Sequence, residues 1–228
     1  MSLTSKVVQR ISSTATTAET FRLPDDRLLG YKSYGSPSGR PAFHFHGSPS
    51  CRLEAEDWDR VGRKLNVTVI GIDRPGMGQS TFKRDATLLD WPSDVHNLAK
   101  HLQLKTFHVF GGSGGGPFAL ACAYSLPKDV LLGTGVISGV APPETGYEGA
   151  AWNRKLAFKV NAHLPWSFLR WLLDIGLGNS AQTQTPEHWK STMEKVFATF
   201  SKEDHALLDQ FPDQKERQIE CYREAFSQ

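Results

Sequence analysis

One heptapeptide constrains this chain more than any other stretch: Phe110-Gly111-Gly112-Ser113-Gly114-Gly115-Gly116. It follows the apolar, strand-like Thr106-Phe-His-Val-Phe110 and precedes Pro117-Phe-Ala-Leu-Ala-Cys122, which reads as a helix. A chain that leaves a buried strand and enters a helix within a few residues has to turn sharply. The residue at the corner takes a strained backbone, and its close neighbours have to lack a Cβ. Such a corner lifts the serine hydroxyl above the sheet edge, and the N-terminus of the following helix points its N–H groups at the same place. Gly111-x-Ser113-x-Gly115 therefore has the spacing of a presented nucleophile. Two other readings fit poorly. A phosphate loop needs Gly-Lys-Ser/Thr after the glycines, and Ser113 stands where G-x-G-x-x-G requires its middle glycine. A flexible linker would not be flanked by two apolar runs.

The rest of the first half alternates in the way of a wound α/β sheet. Glu19 to Leu23 and Leu28 to Tyr34 read as strands around Pro24-Asp25-Asp26, and Pro41 to His46 as a third strand. Val67 to Ile72 is a continuous apolar run of the buried parallel type, Thr106 to Phe110 another, and Val130 to Val140 a last strand. Helices are expected over Leu53 to Leu65, Leu88 to Leu104 (with Pro92 in the first turn) and Gly114 to Leu126. From Ala141 onward the pattern is helical only: Ala151 to Ala162, Ser167 to Leu177, Pro186 to Phe200, Glu203 to Phe211 and Lys215 to Phe226. Ser201 is a good N-cap for the segment that follows it, with acids in its first turn.

Two further motifs follow strands of their own. Phe43-His44-Phe45-His46-Gly47-Ser48-Pro49 ends the third strand, and Asp73-Arg74-Pro75-Gly76-Met77-Gly78-Gln79-Ser80 follows the fourth. In this order, with Gly-x-Ser-x-Gly third, the chain resembles the α/β-hydrolase family in its serine-nucleophile branch. The resemblance is clear over residues 19 to 145 and looser over 146 to 228, which would form a helical cap after a polar tail of residues 1 to 18. It implies a mostly parallel α/β-hydrolase sheet with Ser113 as nucleophile. It also implies an oxyanion hole made by the N–H of Ser48 or its neighbour Gly47 together with that of Gly114, two donors suited to an oxygen that turns anionic in acyl transfer. His46, Asp73, Gly111 and Gly115 would support these loops. A serine at the corner argues against the epoxide hydrolases and dehalogenases of the family, which use aspartate there. Metal binding by His44 and His46, which alternate onto one strand face, is the competing reading; no Asp, Glu or Cys lies nearby at ligand spacing, and His44 reads as a satisfied structural histidine.

The family's triad runs Ser, then Asp or Glu after a seventh strand, then His after an eighth. Neither strand has a counterpart after Val140, so the sheet is expected to be incomplete, holding strands 1 to 6 and truncated at its C-terminal side. Glu144, His163, His188 and His205 are the residues left to substitute for acid and base. The expected function is hydrolysis of a small, hydrophobic ester or lactone through Ser113, for which serine acyl transfer needs no cofactor and no metal. The alternative is a degenerate, non-catalytic hydrolase-fold protein lacking acid and histidine. Truncation would leave the apolar sixth strand at an edge, a surface for self-association.

Composition closes off other classes. Twenty-six basic against 24 acidic residues give a formal charge of +2 with no basic stripe, so a small molecule rather than nucleic acid is the expected partner. No apolar run reaches about 18 residues, so no membrane span is expected. The three cysteines, Cys51, Cys122 and Cys221, are odd in number and far apart, which points to a reducing compartment, the cytoplasm. The Ser- and Thr-rich start with Lys6 and Arg10 and no acids leaves a mitochondrial presequence as the second reading.

Overall fold

The computed structural model describes residues 19–142 and 197–225, with positions 145, 146, 148, 152, 155, 191, 194 and 195 between them. Its centre is a six-stranded sheet of β1 (Glu19–Arg22), β2 (Leu28–Gly35), β3 (Arg40–Phe45), β4 (Val67–Ile72), β5 (Phe107–Gly112) and β6 (Leu131–Ile137), in the order β1-β2-β4-β3-β5-β6. β1 and β2 run antiparallel, and β2 meets β4 antiparallel; β4, β3, β5 and β6 are parallel to one another. The hairpin between β1 and β2 turns at Asp26, whose φ of 67° lies in the left-handed region that aspartate tolerates.

Among the parallel strands β4 is covered on both faces and reads as a continuous apolar run, whereas β5 is buried at every second residue and β6 lies largely open. Thr68 through Ile72 of β4 are all buried. Phe43, Phe45, Ile70, Ile72 and Val109 pack with Trp91, Val95 and Leu98 of α2 (Trp91–His101) and with Ala119 and Cys122 of α3 (Gly116–Ser125). Burying a large apolar side chain in such a cluster stabilises the fold by roughly 1.5–3 kcal/mol. Pro92 falls in the first turn of α2, as expected.

Boundaries depart from the sequence expectation where local winding tightens. The segment expected as one helix from Leu53 is a 3-10 turn, Arg52–Trp58, followed by α1 (Asp59–Leu65). The turn presses so closely on β4 that a Cβ at Gly71 would run into the carbonyl of Arg52. β6 stops at Ile137 rather than Val140 because Ser138 takes a φ of 47°, which ends the extended backbone.

Toward the C-terminus, α4 (Lys202–Leu208) carries the expected cap: Ser201 and Asp204 hydrogen-bond reciprocally. α5 (Pro212–Ala225) then docks on the 3-10 turn through Arg52, whose guanidinium reaches Glu224 at 2.7 Å. Beneath that contact the thiols of Cys51 and Cys221 pack together with Ala225; all three cysteines are free and buried. Among the described residues β6 is an edge strand, with Leu132, Val136 and Ile137 exposed. No described helix is long and apolar enough to cross a membrane.

Candidate active site

Ser113 stands at the corner between β5 and α3 with φ 47°, a conformation that costs a non-glycine residue about 1–2 kcal/mol. The glycines on either side explain how the chain reaches it. A Cβ on Gly111 would collide with the carbonyl of Gly115, and one on Gly115 with the carbonyl of Phe45. At Gly112 the nearest atom would be 4.0 Å away, and at Gly114 it would be Cβ of Ser48 at 3.2 Å. The outer glycines of Gly-x-Ser-x-Gly are therefore imposed by backbone crossing, and the inner two positions are looser. Ser113 itself is exposed and opens on a cavity of about 510 Å3, whose walls include His44, Gly47, Ser48, Glu54, Trp58 and, from α5, Arg217 and Tyr222.

His46 is fully buried. Its Nε2 accepts the N–H of Arg74 at 3.1 Å, so the ring proton sits on Nδ1, which donates to the carbonyl of Gly47 at 2.7 Å. Burial, aided by the charge of Arg74, holds its pKa well below the usual value and keeps it neutral. His46 thus staples the loop after β3 to the loop after β4. It has no ring nitrogen left for proton transfer.

Asp73 is also fully buried and takes no part in the wall of the Ser113 cavity. It accepts from Arg52 N at 2.6 Å, Arg52 Nη1 at 2.7 Å and Gln79 N at 2.9 Å. Burial raises its pKa, and the Arg52 guanidinium opposes that rise. Its role is to tie β4 to the 3-10 turn and, through Arg52 and Glu224, to α5.

His44 is buried as expected but incompletely satisfied: Nδ1 has no hydrogen-bond partner, and Nε2 lies 3.5 Å from Glu54 Oε1. Burial depresses its pKa to about 4. Among the described residues no group of three or more His, Cys, Asp or Glu side chains is placed to hold a metal ion.

The structure brings together Ser113, Gly47, Ser48, Gly114 and His46. His205 lies on α4, its ring 6.4 Å from that of Phe200, and takes no part in the wall of the Ser113 cavity. Glu144, His163 and His188 lie outside the described residues, as does most of the segment read as a cap. Glu54 is the residue that sequence reading missed. Both of its carboxylate oxygens accept the Gly47 N–H, each at 3.1 Å, while a Cβ on Gly114 would stand 3.4 Å from the nitrogen of Ser48. Its only sequence signal was nearness to the His-Gly motif.

Comparison with known proteins agrees with this frame. The alpha/beta hydrolase family profile matches residues 42–218, and the chain belongs to that family. The proline iminopeptidase of Xanthomonas citri is 30% identical over 105 residues, 45% of this chain and 33% of that protein. That of Arabidopsis thaliana is 30% identical over 112 residues, 48% of this chain and 29% of the relative. The match thus spans about a third of the length of the curated relatives. Among solved structures, the epoxide hydrolase CorEH aligns over 92% of this chain and 74% of its own at 20% identity, with a TM-score of 0.55. A thermophilic esterase from Thermogutta terrifontis aligns over 92% and 68% at 19% identity, with a TM-score of 0.53. These two share the fold.

Proposed function

We propose that this chain is a serine hydrolase that cleaves a small, hydrophobic ester or lactone by acyl transfer through Ser113. The observation that carries the reading is the exposed Ser113, held at φ 47° and opening on a cavity lined by Ser48. Ser113 Oγ attacks the acyl carbon while its proton passes to a base. The carbonyl oxygen becomes anionic between the N–H groups of Ser48 and Gly114. The acyl C–O bond then breaks and its oxygen takes up the proton (departing as an alcohol from an ester, staying on the acyl group as a hydroxyl from a lactone), and water releases the acid from the serine. Trp58 and Val61 on the cavity wall fit an apolar acyl chain.

None of the described histidines is assigned as base. His46 is neutral with both nitrogens engaged, and a ring with a pKa of about 4, like that of His44, draws a proton poorly at neutral pH. The second reading, a non-catalytic member of the family, is favoured by the absence of any histidine hydrogen-bonded to Ser113 among the described residues. A fluorophosphonate probe separates the two. Covalent labelling that disappears in Ser113→Ala supports the hydrolase, and an acyl-length series of p-nitrophenyl esters then tests the apolar preference. A folded chain that never labels overturns it. We further propose that the protein works in the cytoplasm, where three buried free thiols stay reduced, and self-associates through the β6 edge.

A further inference from the structure

Gly47 sits between two peptide planes, and side chains hold each of them. The plane before it is held through its N–H, which donates to the Glu54 carboxylate at 3.1 Å from both oxygens. The plane after it is held through the Gly47 carbonyl, which accepts from Arg74 Nη2 at 2.6 Å and from His46 Nδ1 at 2.7 Å. That carbonyl shares a planar trans peptide with the N–H of Ser48, and in such a unit C=O and N–H point in opposite directions. Fixing the oxygen against Arg74 therefore fixes where the Ser48 N–H aims.

The choice of arginine adds a second effect. A hydrogen bond from a charged donor to a peptide oxygen draws electron density toward it and strengthens the N–H at the far end of the same unit. Arg74 is buried, its guanidinium lies 5.0 Å from the Phe118 ring centroid, and burial lowers its pKa only to about 10, so it is charged at neutral pH. Little water competes for that bond. A Cβ on Gly114 would stand 3.4 Å from the nitrogen of Ser48, so the two nitrogens of the hole belong to one small space.

We propose that Arg74 and Glu54 are positioning residues of the oxyanion hole: they clamp the peptides on either side of Gly47, so that the Ser48 N–H meets the oxyanion pre-aimed and polarised while the Gly47 N–H takes no part. Neither side chain touches the reacting atoms. The proposal rests on the reading of Ser113 as the acyl acceptor, and its test has a readout that does not.

The chain is labelled with 15N glycine and serine, and the amide proton shifts of Gly47 and Ser48 are measured beside the second-order rate of fluorophosphonate labelling. In Arg74→Met the Ser48 amide proton moves upfield and labelling slows by about tenfold or more, short of the roughly 100–1000-fold that follows removal of a donor itself. Arg74→Lys recovers part of both effects. Glu54→Ala shifts the Gly47 amide and slows labelling about tenfold, whereas Glu54→Gln, whose amide oxygen still accepts the Gly47 N–H, recovers most of the rate. Should Arg74→Met not fold, Arg74→Lys and the Glu54 pair carry the test. A Ser48 resonance that stays in place in folded Arg74 variants overturns the clamp, as does, where the unaltered chain labels, a labelling rate that the Arg74 and Glu54 variants leave unchanged. If the unaltered chain never labels but the Ser48 resonance moves as described, the acyl-transfer reading fails and the clamp stands.

Discussion

Removing the Asp73 carboxylate should cost this fold more than any other single polar deletion near the site. Asp73 and Arg52 are 0% and 2% exposed, so neither charge has water to fall back on. Asp73→Ala strands two backbone N–H groups and one guanidinium nitrogen that now sit at 2.6 to 2.9 Å from its oxygens. The carboxylate also fills the room that a Cβ on Gly30 or Gly78 would need, so its removal leaves a gap beside those two glycines. Breaking one side of a buried ion pair costs about 3–5 kcal/mol, and Arg52 keeps Glu224, a half-exposed partner, which favours the lower half of that range. With a urea slope of about 2–3 kcal/mol/M, the unfolding midpoint should fall by about 1–2 M with the slope unchanged. Asp73→Asn, which keeps one acceptor oxygen but loses the charge, should fall between the two. A midpoint lowered by less than about 0.5 M in Asp73→Ala would refute the view that this pair anchors the 3-10 turn and α5 to β4.

Three further outcomes are expected. Ser113→Gly relieves a left-handed non-glycine residue, so it should raise stability by about 1 kcal/mol while abolishing probe labelling; a lower melting temperature would contradict the strained corner. His44 and His46 are neutral in the fold, the former down at about 4, so below about pH 6.5 the unfolded chain binds more protons and stability falls as pH drops, by up to ~1.4 kcal/mol per unit for each; urea midpoints flat between pH 7 and 5 would speak against it. Leu132→Lys on the exposed face of β6 should weaken self-association, read as a shift toward monomer in sedimentation velocity at matched concentration, and an unchanged distribution would place any contact elsewhere.

What was legible in the sequence follows from where each constraint is written. Gly111 and Gly115 are glycine because a carbonyl occupies the place of each Cβ, a demand made on the residue itself, so the corner and its serine could be read before any fold was known. The buried strands were legible for a similar reason: β4 is covered on both faces and its side chains are apolar almost without break. The tighter winding after Cys51 is hidden in the sequence because apolar and acidic residues alternate through Arg52-Leu-Glu-Ala-Glu-Asp57 with no glycine or proline to announce it, and the 3-10 turn packs closely on β4. Ser138 likewise carries its positive φ without a glycine to mark it, and so the apolar run hid the end of β6. Glu54 shows the limit most clearly. As a residue it is one acid among several on a polar stretch, and nothing in its type separates it from Glu56 or Asp57. Its meaning lies in the Gly47 N–H, seven positions away on the loop after β3, and only the 3-10 winding carries the carboxylate there. A motif shows the backbone shape a site has to keep; the side chains that hold that shape from a neighbouring element become visible only when the two elements are seen together.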